Sequence, residues 1–240
     1  MNNLLQPFQL LLVAATTVEL QPLLQHFGAT ENPSLPGMPG LEFTTPQCRV
    51  VVCITGAGIL HTAYHVSNAL QLQHFTLAVA AGIAGSFTPK LQIGSIVEVC
   101  RQQMADLGAE NHRHFIPIEQ MPFYNPNLFP YRNGCLYNPN PGNLLFKEQL
   151  PCVTGITVNT VSGRKSTIQL RRKLYEPDVE SMEGAAFFYT CLMQQVSFAE
   201  IRAISNFAEP RNPLRWNIPL AINNLCRFLT RFIEQLPAQP

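Results

Sequence analysis

The sequence predicts an α/β protein in which helices cover both faces of a largely parallel sheet, and two observations carry that prediction. Six apolar runs of strand length recur along the chain, and stretches with a helical pattern lie between most of them. The runs are continuously apolar, as strands covered on both faces are, whereas half-exposed strands alternate. Such alternation over a whole chain gives a three-layer αβα sandwich.

The runs that predict strands are residues 10–15, 50–55, 76–81, 93–100, 152–158 and 201–205. Helices are expected over 18–27, 59–73, 180–194 and 215–235. Residues 102–150 break the rhythm, with prolines and asparagines crowding 121–127 and 137–142. Proline removes a donor and restricts the residue before it, so an irregular loop region is expected there. A long structured loop in a compact domain is more often a binding or lid element than a linker. No boundary or repeat interrupts the pattern, and one domain over 1–240 is expected.

A chain of 240 residues can bury roughly 70% or more of its unfolded surface. Apolar residues make up 46% and charged residues 13%, which predicts a surface of low charge. That surface fits a buried oligomer interface or a monomer with a polar, uncharged skin. A net charge of +1 without a basic stripe argues against a nucleic-acid partner. No stretch approaches the ~18–20 apolar residues of a membrane span. No Lys or Arg precedes the first apolar run, which Gln6, Pro7 and Gln9 interrupt, so a strand is expected there instead of a leader. The seven cysteines form no CxxC pair, which fits free thiols in the cytoplasm better than a disulfide framework or a zinc site.

Four segments sit where predicted strands run into helices, the place at which open α/β sheets bind ligands. Glu19 follows the first strand, where it either complements the helix dipole or activates water. The loop from Thr55 to Gly58 allows close backbone approach to a ligand. It lacks the third glycine and the spaced acidic residue of a dinucleotide fingerprint, which argues against an NAD site. Residues 80–86, AAGIAGS, make room for a flat ligand or for tight packing. Glu180 and Glu183 lie three apart, as neighbours on one face of the expected helix, next to the apolar residues 185–188. A buried carboxylate needs a partner. One of the two is expected to pair with Arg171 or Arg172, and the other with hydroxyls such as a sugar supplies. Farther on, Asn206 ends a strand with an amide that could read a heterocycle edge or cap a turn.

In this order the segments resemble the purine nucleoside phosphorylase and 5′-methylthioadenosine/S-adenosylhomocysteine nucleosidase superfamily. The likeness runs from about the first strand to the last helix. Its most specific parts are the glycine segment with Gly-Ser-Ile-Val at 94–97, the Met182–Glu183 pair, and Arg-Ala-Ile-Ser at 202–205. The resemblance implies a nucleoside phosphorylase-like fold with a mixed, mostly parallel, twisted sheet. It implies that Glu183 holds the ribose hydroxyls above Met182, and that Glu19 activates water. A phosphorylase would need a phosphate pocket with an arginine near the first glycine loop; residues 55–60 offer none, which favours hydrolysis. Where methylthioadenosine nucleosidases carry Asp, this chain has Asn206, an amide suited to a 6-oxopurine.

One residue more separates Glu180 from Met182 than in the Val-Glu-Met-Glu form. With residues 105–110, 157–163 and 216–219, that spacing is similar to the futalosine hydrolases. The reaction this implies releases hypoxanthine and dehypoxanthinyl futalosine in a menaquinone pathway. Glu19 and Asn206 are then the expected catalytic residues, and Gly58, Ile83, Val158 and Asn159 join Met182 and Glu183 as substrate contacts. Phe115, Phe123 and Tyr124 are candidates to cover the base and the 5′ group, from this chain or a neighbouring subunit, or else to pack locally. No cofactor or metal is expected. The expected partner is a small-molecule nucleoside, with assembly as a homodimer or higher homo-oligomer. The competing readings are a methylthioadenosine/S-adenosylhomocysteine nucleosidase, a purine nucleoside phosphorylase, and a nucleoside-binding protein without catalysis.

Overall fold

In the computed structural model, which describes residues 8–35, 40–112, 114–142 and 150–236, the chain begins with β1 (Phe8–Ala14) and α1 (Thr17–Phe27). Next come β2 (Thr30–Glu31), β3 (Gly40–Thr44), β4 (Cys48–Ile54), α2 (Ile59–Leu72), β5 (Leu77–Ser86) and β6 (Ile96–Met104). The middle holds β7 (Gly108–Asn111), β8 (His114–Pro117), β9 (Leu136–Tyr137), β10 (Cys152–Thr157) and α3 (Lys165–Tyr175). The chain then runs through β11 (Val179–Ser181), α4 (Gly184–Met193), β12 (Phe198–Phe207) and α5 (Ile218–Glu234).

Successive residues of the central strands feed two separate cores, which is why those strands read as unbroken apolar runs. Leu10, Leu12, Val50, Val52, Val79 and Ile201 pack with Leu20 and Leu23 of α1 and Leu225 and Leu229 of α5. Their neighbours Leu11, Val13, Val51, Ala78 and Ala80 pack on the other face with Val66 of α2 and Phe187 and Phe188 of α4. Burying a side chain of this size contributes roughly 1.5–3 kcal/mol. Helices thus lie on both faces of a mixed sheet, as expected. Its centre, β4–β1–β5–β12, is parallel, and β12 turns antiparallel to β6. The sheet then curls through β6, β10 and β11, and β11 pairs antiparallel with β5. Five strands close on themselves, so the ends of β5, β11 and β12 converge.

The expected helix over 180–194 is corrected: residues 179–181 form β11, and α4 starts only at Gly184. Glu180 and Glu183 therefore share no helix face. A short strand beside β10 supplies Glu180 with backbone partners that a helix would not. The last helix starts at Ile218, after a 3₁₀ turn at Pro213–Arg215. Within 102–150 the structure is more regular than expected, with β7 and β8 forming a hairpin and β9 pairing with β6; residues 143–149 lie outside the described residues. The cysteines depart from the expectation of free thiols. Cys100 and Cys152 are bonded between neighbouring strands, with Cα atoms 5.7 Å apart, while Cys48, Cys53, Cys135, Cys191 and Cys226 are buried and outside any disulfide. The bonded pair is 52 positions apart, joined by the β6–β10 pairing and not by any sequence spacing.

Candidate active site

The C-terminal ends of β1, β5 and β12 and the start of α4 border a cavity of about 370 Å³. Glu19, Met182, Glu183 and Asn206 all line it, and so does Ile83.

Glu19 is the third residue of α1. Its Oε2 accepts from the N–H of Thr16 at 3.0 Å and from Thr16 Oγ1 at 3.1 Å, closing the helix start. Its Oε1 accepts from the Ile83 N–H at 3.1 Å. The same carboxylate therefore caps a helix and faces the cavity. Burial pushes its pKa up; Arg202 and the Ile83 and Thr16 N–H groups oppose the rise, while Glu183 adds to it. A carboxylate with a raised pKa is a stronger base than a solvated one.

Glu183 caps α4. Its Oε1 accepts from the Gly58 N–H at 3.1 Å, and its Oε2 from the Met182 N–H at 3.3 Å. Gly58 reaches this position with φ 97°, a conformation that favours glycine. Its N–H thus meets a carboxylate of the cavity wall, as the Ile83 N–H does.

Glu180 takes the arginine that the sequence offered. Arg171 Nη1 lies 3.2 Å from Glu180 Oε2, and Ser162 donates to Glu180 from both N–H and Oγ at 2.8 Å. Burial raises the Glu180 pKa, with Ser162 and Arg171 acting against the rise.

Asn206 follows a bulge in β12 at Ile204/Asn206, the kind of irregularity that re-aims a side chain. Its Oδ1 accepts from Ser205 Oγ at 2.8 Å and its Nδ2 donates to the Phe207 carbonyl at 3.1 Å. One amide hydrogen remains for a ligand.

Other expected contacts do not reach the cavity. Val158 is buried with Phe87, Ile156 and Ile168, and Asn159 is exposed and donates to Asp106. Phe115, Phe123 and Tyr124 do not line it either; Phe123 is exposed and Tyr124 packs edge-on to Tyr131. The apolar lining comes instead from Val18, Trp216, Ile218 and Ile222. Arg211 sits over the Trp216 ring at 4.8 Å.

Arg202, which the sequence reading did not single out, stands beside these carboxylates. It is buried, with Nη1 3.6 Å from Glu183 Oε2 and Nε 2.8 Å from Glu200 Oε1. Burial alone would lower its pKa, but Glu200, Glu183 and Glu19 hold it above the usual value. The available signal was an arginine inside an otherwise apolar strand, which demands buried counter-charges. Two carboxylates beside one guanidinium, facing an amide across an apolar-walled cavity, suit binding of a polyol-bearing heterocycle and activation of water. Among the described residues no group of three or more His, Cys, Asp or Glu could hold a metal ion, and no helix is long and apolar enough to cross a membrane.

The phosphorylase superfamily pattern matches residues 9–234. The chain is similar to the futalosine hydrolase of Acidothermus cellulolyticus, with 30% identity over 179 residues, covering 72% of this chain and 71% of that protein. Its fold is similar to a futalosine hydrolase from Helicobacter pylori, with TM-score 0.81 and 17% identity over 95% of this chain and 98% of the other. It is equally similar to a 5′-methylthioadenosine/S-adenosylhomocysteine nucleosidase from the same organism, with TM-score 0.81 and 16% identity over 96% of this chain and 99% of the other.

Proposed function

The chain belongs to the phosphorylase superfamily and, within it, to the family of the futalosine hydrolases, and from that premise we propose that it hydrolyses the N-glycosidic bond of futalosine, releasing hypoxanthine and dehypoxanthinyl futalosine for menaquinone synthesis. One observation carries the residue roles: Glu19, Glu183 and Asn206 line the same cavity. In this reading Glu183 accepts hydrogen bonds from the ribose hydroxyls, and Met182 packs beneath the sugar. The Gly58 and Ile83 N–H groups support the two carboxylates; Ile83 also lines the cavity beside the substrate, whereas Gly58, which does not line it, has the supporting role alone.

Cleavage gives the sugar oxocarbenium character while the C1′–N bond to the purine breaks and its electron pair leaves with the base. Glu19 takes a proton from water as the water oxygen bonds to C1′. Asn206 donates its remaining amide hydrogen to N7 or O6 of the departing base. An oriented donor of this kind is worth roughly 3–4 kcal/mol of barrier. An amide does not give up its proton, so the purine anion takes one from solvent. Trp216, Val18 and Ile222 supply the apolar wall for the 5′ group.

Assembly as a homo-oligomer is part of the same reading. Its support is the large apolar side chains left exposed on α2 and in the 123–129 stretch, among them Leu60, Tyr64, Phe123, Leu128 and Phe129. A cytoplasmic setting is supported by the five buried cysteines that form no disulfide, whereas the Cys100–Cys152 bond speaks against it. Sedimentation and a native thiol count test these two points.

The activity is tested by incubating the protein with futalosine, methylthioadenosine and inosine, with and without phosphate, and following free base. Hypoxanthine release from futalosine, independent of phosphate, is expected. A preference for methylthioadenosine, or a requirement for phosphate, overturns the reading.

A further inference from the structure

Arg202 Nε donates to Glu200 Oε1 at 2.8 Å, and Gln102 Nε2 donates to Glu200 Oε2 at 2.7 Å. Thr157 Oγ1 donates to Gln102 Oε1 at 3.0 Å and accepts from the Ala185 N–H at 2.7 Å. Ala185 is the second residue of α4, whose cap is Glu183, and Glu183 Oε2 faces Arg202 Nη1 at 3.6 Å. The contacts therefore close a ring through β12, β6, β10 and the start of α4, returning to Glu183.

Gln102, Thr157 and Glu200 are each 0% exposed, and none lines the cavity. A carboxylate taken wholly out of water is strongly disfavoured unless it is paired, and here both of its oxygens are paired. Local glycines leave the space. A Cβ on Gly184 would strike Gln102 Nε2 and stand 2.6 Å from Glu200 Oε1, and one on Gly155 would stand 2.7 Å from Gln102 Nε2.

We propose that Glu200 is a positioning residue for hydrolysis: through this ring it fixes the Arg202 guanidinium, which orients Glu183 and shares its charge with Glu19. The proposal rests on the reading of Glu19 and Glu183 given above. Without Glu200, the Arg202 charge would be drawn wholly to Glu183 and Glu19. That would weaken Glu19 as a base and pull Glu183 from Gly58. With Nε committed to Glu200, only the Nη edge of Arg202 remains for the cavity. The charged groups facing Glu19 are Arg202 of β12 and Glu183 at the cap of α4, with Glu200 behind Arg202; from α5 the Cys226 thiol donates to the Glu19 backbone carbonyl.

The test compares wild-type enzyme with Glu200→Gln, Thr157→Val and Thr157→Ser, each first shown to melt cooperatively, in kcat and KM for futalosine across pH. Glu200→Gln removes a negative charge, so the ionised form of Glu19 is favoured. The acid limb of its pH profile should move to lower pH, with kcat reduced about tenfold or more. Thr157→Val opens the ring at the α4 end, so KM should rise about tenfold while the acid limb stays in place, and Thr157→Ser should restore KM. A folded Glu200→Gln with wild-type profile and kcat overturns the proposal, as does an unchanged KM in Thr157→Val. If Glu200→Gln does not fold, the Thr157 pair alone decides. A wild-type protein inactive on futalosine sinks the functional reading and not the ring. The ring is then judged by NMR: a slowly exchanging arginine Nε–H signal, assigned by its loss in Arg202→Lys, is expected, and its absence in wild type refutes the clamp.

Discussion

Arg171 Nη1 stands 3.2 Å from Glu180 Oε2, and this pairing separates the roles of two glutamates only three positions apart in sequence. Glu180 is filled by Arg171 and by the Ser162 N–H and Oγ, while Glu183 turns to Gly58 and Arg202. Both partners of the Arg171–Glu180 pair are buried, so removing Arg171 leaves Glu180 without its counter-charge, held only by Ser162. Arg171→Met should therefore destabilise the fold by roughly 3–5 kcal/mol. Denaturant unfolding measures this, and a loss below about 1 kcal/mol would mean that Ser162 suffices.

Glu19→Gln keeps the shape and one acceptor oxygen but cannot take a proton from water. Turnover of futalosine should fall by about 10²–10⁴, with nucleoside binding still measurable by calorimetry. A variant as fast as wild type would remove Glu19 from its role. Loss of binding in step with rate would instead make it a binding residue.

The pH dependence of stability has a definite sign at Glu19. Burial, the largest influence, raises its pKa above the ordinary value of 4.5. The folded state then holds a proton that the unfolded chain releases, so this contribution is fully present below the ordinary value and is lost as pH rises through the folded one. Glu98 and Glu180 are raised by burial as well and act in the same direction. The melting temperature of Glu19→Gln should match wild type in acid and exceed it progressively towards neutral pH. A constant difference across pH would show that the fold does not raise the Glu19 pKa.

Much of this was legible in the sequence because burial on both faces writes a strand as a plain apolar run, and all six predicted strands are present. The misses have physical causes. The β3 strand, Gly40–Thr44, lies near an edge and is only partly buried, so no apolar run marks it. Helix α3 is polar along most of its length and buries only Ile168, Arg171 and Tyr175. Glu180 was drawn into a helix because no residue before Gly184 signals a break in Val179–Phe188. Glu19, Met182, Glu183 and Asn206 come together on one cavity because strand ends converge. The ring through Gln102, Thr157, Glu200 and Arg202 joins four elements, and no local spacing records such a closure.

Asn206→Asp is expected to change which base is preferred. An ionised Asp accepts from a 6-amino group where the amide donates to a 6-oxo group. The ratio of kcat/KM for futalosine to that for methylthioadenosine should drop at least tenfold, a change of about 1.4 kcal/mol in relative barrier. Paired assays on the purified variant measure it. An unchanged ratio would show that base choice lies elsewhere on the cavity wall.

Gly82→Ala tests whether Glu19 and Arg202 must share one site. A Cβ at this position would stand 2.8 Å from Glu19 Oε1 and press on Arg202 Nη1. Neither group can retreat easily, since Glu19 Oε2 is tied to Thr16 and Arg202 Nε to Glu200. Overpacking of this kind costs roughly 1–3 kcal/mol of stability. The displaced groups are the one assigned to water activation and the guanidinium that orients its neighbour Glu183, so turnover should fall about 10²-fold, beyond what the folded fraction explains. Comparing kcat per folded molecule with the melting curve separates the two effects. If kcat per folded molecule is unchanged, close approach of Arg202 to Glu19 is not required for hydrolysis.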